Sequence, residues 1–327
     1  MIFNAETGFT LTSPNLQRTR TTTEIRCITQ GGRGMISTYV RRRRLGLELI
    51  ELRSRHDMSG QVLADKIGVA RQRISRLENG HVRPDLDEII RILSEFHIEG
   101  EEWARLVAIA RDAQAHGWWE RYADEMGQRQ ALCANLEAGA TAILEYQMTF
   151  LPGLLQLPEF TQARADADHD GNRPPFQPDR ALEARQRRQK LLERPDGPTY
   201  EVIIDELAIR RRAAPKPIVA AQLLHIVEQT RARTKLTARV LPIGAHLAGY
   251  AIPRSAFFIY HYPDDPPVVM VDTATTDYIV TDPAEAGRYL RLYDTLRDAA
   301  LSTEDSLQFL AQLGVENQPS YRLEHTA

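Results

Sequence analysis

Apolar residues recur at helical spacing through the first third of the chain, with polar residues between them. This pattern predicts a first amphipathic helix over about residues 44–56, a fourth over 86–97 and a fifth over 100–113. The apolar stripes consist of Leu45, Leu49 and Leu52 in the first helix, Leu86, Ile89, Ile90 and Leu93 in the fourth, and Trp103, Leu106 and Ile109 in the fifth. Together with two helices between them, described below, they predict a compact five-helix domain over residues 41–114.

The second half of the chain shows a different pattern, in which short runs rich in β-branched and aromatic residues alternate with helical stretches. The predicted strands are Tyr200–Ile204, Ala238–Leu241, Ala256–Tyr262, Val268–Asp272 and Tyr278–Val280, and the predicted helices cover about 180–194, 217–232, 283–299 and 303–313. Several strands with helices on one side indicate a mixed α+β domain, expected over residues 141–316. A helical connector over residues 115–140 completes a multidomain α and α+β protein.

The two ends of the chain lack such patterns. Residues 1–40 are predicted to be a disordered or misassigned N-terminal extension, since the first 34 are Thr-rich, end in QGGRG and show no sustained period. If the extension is misassigned, translation starts at Met35. Codons for Gly31-Gly32-Arg33 can form a purine-rich ribosome-binding sequence just upstream of it, which favours this interpretation. Residues 317–327 are expected to form a C-terminal tail.

Residues 59–80, SGQVLADKIGVARQRISRLENG, have the spacing of a helix-turn-helix. Ser59 is suited to cap the first helix of the motif, and Ala64 is small where two helices must touch. Gly68 follows four residues later, where the turn needs a permissive backbone. Ile74 comes six residues after that, where the second helix must face the core. The second helix then exposes side chains of the types that contact base edges or phosphates in the major groove, namely Arg71, Gln72, Arg73 and Arg76.

Charge is distributed unevenly along the chain, although its formal net value is only −3. Residues 1–83 hold 15 Lys and Arg against 7 Asp and Glu, a net of +8, and the remainder holds 26 against 37, a net of −11. This asymmetry is typical of a protein whose basic N-terminal domain binds a polyanion and whose remainder is acidic, and it favours double-stranded DNA as a partner.

Four consecutive arginines, Arg41, Arg42, Arg43 and Arg44, precede the predicted first helix. We interpret them as a basic arm that lies along the DNA backbone or in a minor groove. A solvated N-terminal flank is the alternative interpretation.

The remaining composition favours a cytoplasmic protein. The two cysteines, Cys27 and Cys133, lie far apart and form no metal-binding spacing, which suggests a reducing compartment. No apolar run approaches the length of a membrane span, and residues 1–20 lack the pattern of a signal peptide. We therefore expect no membrane association, no metal site and no cofactor.

Two resemblances to known families cover about 70% of the chain. Residues 45–97, through LADKIGVARQRISRLENG and Pro84, resemble the Xre/Cro-like helix-turn-helix domain of the lambda-repressor type. Residues 140–315 resemble the DUF5753 domain of Scr1-type antitoxin-like transcriptional regulators of actinobacteria. The segments LPGLLQLPEF (151–160), YEVIIDELAIRR (200–211) and FFIYHY (257–262) carry the second resemblance.

The first resemblance implies roles for residues of the motif. Those at base-reading positions are Arg71, Gln72 and Arg76, those at phosphate-contacting positions are Ser59, Arg73 and Asn79, and those with structural roles are Arg53, Ala64, Gly68, Ile74 and Glu78. Arg53 and Glu78 match an ion pair that joins the first helix to the end of the third. The family usually has Gln after the capping residue, where this chain has Gly60. This departure removes a side chain that often supports the recognition helix or touches DNA.

No catalytic motif stands out in the sequence, which contains no GxSxG, HExxH, P-loop or dinucleotide-binding glycine pattern. We therefore expect no catalytic residues and no enzyme. His246, Tyr250, Tyr260, His261 and Tyr262 cluster in sequence near a predicted sheet. They suggest either a pocket that senses a small molecule or, as the alternative, ordinary packing with polar tips at the surface.

These observations predict a sequence-specific, DNA-binding transcriptional regulator. Regulators of this type usually bind inverted half-sites as dimers, so we expect a homodimer. The C-terminal domain is expected to serve dimerisation and the binding of a partner or effector. The alternative is an antitoxin that binds a small cognate protein and autoregulates its promoter. A third hypothesis is a repressor that responds to a small molecule.

Overall fold

A helical N-terminal region precedes a C-terminal region built on a mixed sheet in the computed structural model of the protein. The structure describes residues 36–167, 178–211, 213–273 and 276–317. The predictions for residues 1–34 and for a start at Met35 lie outside these residues, as does nearly all of the predicted tail. In the described part, none of the helices combines the length and the apolar character that a membrane crossing requires.

The five predicted N-terminal helices are confirmed and form the helix-turn-helix region, residues 38–114. Their bounds are Thr38–Arg55 for α1, Gly60–Ile67 for α2, Arg71–Glu78 for α3, Leu86–Glu95 for α4 and Gly100–Gln114 for α5. Helix α1 begins six residues earlier than predicted, because Ser37 caps it by accepting a hydrogen bond from the Val40 amide. The expectation that the four arginines stand in front of the first helix is therefore wrong, since all four lie inside α1.

One continuous core holds these five helices together. The predicted stripe on α1 is at most 2% exposed, and it packs against Ala64, Ile74 and apolar residues of α4 and α5. Each buried leucine or isoleucine contributes about 1.5–3 kcal/mol by leaving water. At Gly46, a Cβ would collide with the main-chain carbonyl of Glu78. The close approach of α1 to the end of α3 therefore requires glycine at this position.

The connector consists of three short helices rather than one long helix. They are α6 at Trp118–Arg121, α7 at Ala123–Met126 and α8 at Gln128–Glu137. Gly127 separates the last two with a φ of +83°, which favours glycine. Asn135 of α8 holds the start of α1: its Oδ1 accepts hydrogen bonds from the Ser37 hydroxyl at 3.0 Å and from the Tyr39 amide at 3.1 Å.

The C-terminal region, residues 142–316, contains a mixed sheet of six strands in the described residues. The strands are β1 at Ala142–Gln147, β2 at Thr199–Asp205, β3 at Leu236–Leu241, β4 at Phe257–His261, β5 at Val268–Val271 and β6 at Tyr278–Val280. Their order is β3-β2-β1-β4-β5-β6, in which β1, β2 and β3 are parallel and the other pairs are antiparallel. The five predicted strands are confirmed, but the prediction missed β1, which lies at the centre of the sheet.

Helices cover both faces of this sheet, so the expectation of helices on one side is wrong. The C-terminal helices are α9 at Pro158–Ala167, α10 at Pro178–Gln189, α11 at Glu206–Arg210, α12 at Lys216–Ala232, α13 at Pro283–Ala299 and α14 at Thr303–Glu316. Val202 and Ile204 pack on the face that carries α12 and α14. Ile203, between them on β2, packs on the opposite face with Tyr293 and Leu296 of α13. Strands buried on both faces read as continuous apolar runs.

Candidate nucleic-acid interface

The turn between α2 and α3 has the geometry that the spacing of the motif requires. The Ser59 hydroxyl accepts a hydrogen bond from the Val62 amide at 3.2 Å, which satisfies one of the unpaired donors at the start of α2. Gly68 ends α2 in the left-handed region with a φ of +72°. Ala64 is fully buried at the contact between the helices, and Ile74 is 2% exposed. Helix α3 is thereby fixed at a defined angle to α2.

Helix α3 has one apolar and one polar face. Ile74 and Leu77 are buried in the core of the region. Arg71, Gln72 and Arg76 are exposed, and within the described part of the chain their side chains make no hydrogen bond or ion pair. Two guanidinium groups and one carboxamide are thus presented to solvent on a rigid helix, each with unused donors. This is the arrangement that base edges in a major groove can bind.

Arg53 and Glu78 join α1 to the end of α3. The Nε of Arg53 lies 2.6 Å from Oε1 of Glu78, and its Nη1 donates to the Met58 carbonyl at 2.9 Å. The side chains are 23% and 11% exposed, so solvent screens the pair only in part. The pair fixes the C-terminal end of α3 against α1.

Arg73 has a different environment from the other arginines of α3. Its guanidinium binds the buried carboxylate of Glu88 on α4, with Nη2 at 2.8 Å and Nε at 3.0 Å from Oε2. The hydrogen bonds with Glu88 raise the pKa of Arg73 above its ordinary value. Because the guanidinium is committed to Glu88 and to the Arg83 carbonyl, Arg73 joins α3 to α4 and is not among the DNA contacts proposed below.

Ser59 and Asn79 lie at the outer ends of the motif, at the start of α2 and just after α3. Both are exposed. The side-chain amide of Asn79 donates to the Ser75 carbonyl at 2.7 Å, and the main-chain carbonyl of Asn79 accepts a hydrogen bond from Nη1 of Arg43 at 2.8 Å. The two residues therefore lie at the surface at the two ends of the helix-turn-helix motif.

The four arginines of α1 are bound within the protein rather than extended as an arm. Arg41 forms ion pairs with Asp112 at 3.6 Å and with Asp265 of the C-terminal region at 3.1 Å. Arg42 donates to the Ala113 carbonyl at 3.0 Å and lies 3.5 Å from Glu120. Burial is the main reason why the pKa of Arg42 is lowered, and it raises that of Asp265.

Arg43 and Arg44 complete this set. Arg43 donates through Nη2 to the Thr281 hydroxyl at 3.0 Å, and so joins α1 to the C-terminal region. Arg44 pairs with Glu48 at 2.8 Å, and hydrogen bonds from Arg105 are the main reason why the pKa of Glu48 is lowered. The i,i+4 spacing of Arg44 and Glu48 is a sequence signal that identifies this pair in advance.

The side chains of the predicted aromatic and histidine cluster that the structure describes have different surroundings, and that of Tyr250 lies outside the described ones. Tyr260 is fully buried, and the Tyr262 hydroxyl donates to the Leu136 carbonyl at 2.6 Å. Burial raises the pKa of both phenols well above the ordinary value. His246 lies on an exposed loop, whereas His261 ends β4. The structure therefore favours packing for the two tyrosines.

Comparison with protein families agrees with this geometry. A family model described as "Helix-turn-helix" matches residues 49–103, a range that includes α2, α3 and the turn between them. The protein is thus of the helix-turn-helix class, and this domain points to a DNA-binding regulator rather than an enzyme. A second model, "Domain of unknown function (DUF5753)", matches residues 130–312, more than half of the chain. The chain belongs to the DUF5753 family. No curated protein and no solved structure matches it significantly.

Proposed function

We propose that the protein is a sequence-specific transcriptional regulator that reads DNA with α3. The observation that carries this proposal is the exposed face of α3, where Arg71, Gln72 and Arg76 have no partner within the described chain. Each arginine can make a bidentate contact to guanine O6 and N7, and Gln72 can make one to adenine N6 and N7. Ser59 and Asn79 would contact phosphates on either side and fix the register of the helix in the groove.

The protein acts as a homodimer in this proposal. A single small DNA-binding module buries only about 600–1,000 Å² of protein surface, which limits its selectivity. Two copies on inverted half-sites about one helical turn apart double the number of base contacts. Pairing is assigned to the C-terminal region, where Ile252 and Tyr278 are 76% and 62% exposed and line one surface depression. In the proposal, these two apolar side chains belong to a larger surface that becomes buried between the two copies.

Genome-wide DNA occupancy tests the reading of sequence. We expect a small number of sharp peaks that share an inverted repeat, and their loss in the Arg71→Ala/Arg76→Ala variant. Arg111→Ala, at an exposed arginine near the end of α5, is the matched control and should leave the peaks unchanged. Peaks that persist in the double variant would show that α3 is not the reader.

The mass of the full chain in solution tests the pairing. A dimer that dissociates in an Ile252→Glu/Tyr278→Glu variant supports self-association through this surface. A monomer that binds DNA only together with a co-transcribed small protein would instead favour the second candidate, an antitoxin that covers the same surface with its cognate partner. A single occupancy peak at its own promoter would agree with that second function.

A further inference from the structure

A partly open cavity that the DNA-reading face does not use lies between the connector and the C-terminal region. It has a volume of about 480 Å³ and lies between the sheet face formed by β1, β4 and β5 and the helices α8, α9 and α10. Cavities of about 300–1,000 Å³ are typical of small-molecule sites. Much of the lining is apolar, with Leu154, Phe258 and Met270 among its residues.

Two buried polar side chains of β1 line this cavity, and each has one oxygen atom without a hydrogen-bond partner. Glu145 is fully buried; its Oε2 accepts a hydrogen bond from the Tyr200 hydroxyl, whereas its Oε1 has no partner. Gln147 is 5% exposed, and its Oε1 also has no partner. The two side chains point to the same face of the sheet because they are two residues apart on one strand. A buried polar atom without a hydrogen bond destabilises the fold by about 1–3 kcal/mol, so such atoms indicate a missing partner.

Arg185 of α10 also lines this cavity. Its Nη1 donates to Oε1 of Gln156, whereas its Nε is buried without a partner. Among the described residues, no carboxylate pairs with this guanidinium. The neighbouring Arg188 forms an ion pair with Glu137 at 2.6 Å. Burial is the main reason why the pKa of Arg185 falls to about 10. The side chain is partly exposed, but a guanidinium with a buried, unpartnered nitrogen and no counter-ion is less favourable than one paired with an anionic ligand.

We propose that this cavity binds a small amphipathic molecule with an anionic group at one end. The anionic group, a carboxylate or a phosphate, pairs with Arg185. The apolar part of the molecule lies against Leu154, Phe258 and Met270, and a hydroxyl or amino group on it donates to Glu145 or Gln147. Such a ligand supplies the counter-ion and the hydrogen-bond donors that the cavity lacks.

Helix α8 connects this cavity with the helix-turn-helix region. Gln130 and Cys133 of α8 line the cavity, and Asn135 of the same helix holds Ser37 and Tyr39 at the start of α1. A ligand that shifts α8 therefore changes the support of the DNA-binding helices. This effector role rests on the proposed function, whereas the binding of the ligand does not.

Calorimetric titration and thermal unfolding of the full chain test the site. The test ligands are octanoate, octyl phosphate and the uncharged octanamide, all below the concentrations at which they form micelles. We expect one molecule of at least one of the two anions to bind, and its Tm shift to be roughly 5 °C at a hundred-fold excess over Kd. Octanamide should bind at least ten-fold more weakly. Whichever anion binds more tightly identifies the anionic group.

Three variants make the test specific. Arg185→Gln should weaken binding of the anion at least ten-fold and leave that of octanamide unchanged. Leu182→Trp, at a half-buried position in the cavity wall, should block both ligands by filling space. Arg187→Gln is the matched control, because Arg187 is on the same helix but lies over the Trp118 ring. Equal binding of anion and amide, wild-type affinity in Arg185→Gln, or no binding of either anion would overturn the proposal.

DNA affinity measured with and without the bound anion tests the effector role separately. At least a three-fold change in the wild type, absent in Arg185→Gln, supports it. An unchanged DNA affinity despite saturated binding would contradict the effector role alone. Failure to bind DNA under any condition would contradict the proposed function and leave the ligand site standing.

Discussion

The exposed face of α3 and the cavity of the C-terminal region place unpaired polar groups in opposite surroundings. On the first, Arg71, Gln72 and Arg76 have no side-chain partner among the described residues, and all three are exposed. In the second, Glu145 and Arg185 carry unpaired atoms that are buried around a cavity. Water satisfies the first set at no cost to stability, whereas the second set destabilises the fold until a ligand satisfies it. The position of an unpaired group therefore indicates whether a site recognises a large surface or encloses a small molecule.

The largest effect is expected on DNA affinity when the exposed set is removed. Each bidentate contact contributes about 1–3 kcal/mol of discrimination, so Arg71→Ala/Arg76→Ala should weaken binding to the preferred sequence by about 10²–10⁴-fold. Thermal stability should stay within about 0.5 kcal/mol of the wild type, because both side chains are solvated in the folded protein. Titration of labelled operator DNA and thermal unfolding of the same samples check both parts. A variant that loses both DNA binding and its fold would contradict the view that these exposed side chains do not contribute to stability.

The buried carboxyl group of Glu145 should instead affect how the stability of the protein depends on pH. Burial raises the pKa of Glu145 to about 7, so the folded state holds this proton more tightly than the unfolded chain does. The contribution of Glu145 to stability is therefore fully present below about pH 4.5 and is lost as the pH rises through 7. Glu145→Gln removes this loss, and should be more stable than the wild type by about 3 kcal/mol at pH 8 but similar to it at pH 4. Urea unfolding at several pH values measures the difference; parallel curves for the two proteins would contradict it.

A pair of glycines in the helix-turn-helix region offers a test of packing that leaves the exposed side chains of α3 and the lining of the cavity unchanged. Gly46→Ala should destabilise the protein by about 1–3 kcal/mol, because the new Cβ collides with the Glu78 carbonyl. Gly60→Ala, at the first position of α2, has room for a Cβ and should stabilise the protein by about 0.5–1 kcal/mol. Denaturant unfolding of both variants should therefore show shifts of opposite sign. A Gly46→Ala variant as stable as the wild type would mean that α1 and α3 do not approach as closely as described.

A smaller effect on stability is expected at the partly exposed ion pair. Glu78→Ala leaves the guanidinium of Arg53 without its carboxylate and should lower the unfolding free energy by about 1–2 kcal/mol. DNA binding should weaken as a consequence, since the end of α3 loses its support. Glu78→Gln, which keeps an acceptor at the same place, should recover part of both losses. Unchanged thermal stability in Glu78→Ala would show that the pair is not structural.

The two regions also differ in how much of each the sequence predicts. In the helix-turn-helix region the period of apolar residues indicates the first, fourth and fifth helices, because each buries one face, and the spacing of the motif indicates the second and third. The missed strand β1 reads AILEYQ, and the polar residues Glu145 and Gln147 interrupt its apolar pattern although both are buried. They are buried because they line a cavity, a property of the assembled fold that no local pattern contains. The sequence also does not predict that α13 covers the second face of the sheet, because the apolar run of β2 is buried on both faces and therefore shows no polar, outward side.

In the candidate site, too, the sequence predicts what local geometry determines and misses what depends on the assembled fold. The exposed residues of α3 follow from helical geometry alone, because the apolar positions Ile74 and Leu77 fix which face is outside. The partners of Arg73 and Arg41 do not follow from it, since Glu88 lies on another helix and Asp265 is more than two hundred residues away. A run of arginines has the same appearance in sequence whether it binds phosphates or carboxylates.

The hydrogen bonds between Asn135 and the start of α1 determine where the protein can be cut into fragments that fold. A fragment that ends at residue 114, the boundary the helical pattern suggests, would lack Asn135 and Glu120, and with them the acceptor for Ser37 and a partner of Arg42. A transplantable unit that keeps these two contacts therefore extends to about residue 137, beyond the five helices. Chimeras that exchange the reader between relatives should be joined after α8, and a hybrid cut at residue 114 should express poorly even though every residue of the motif is present.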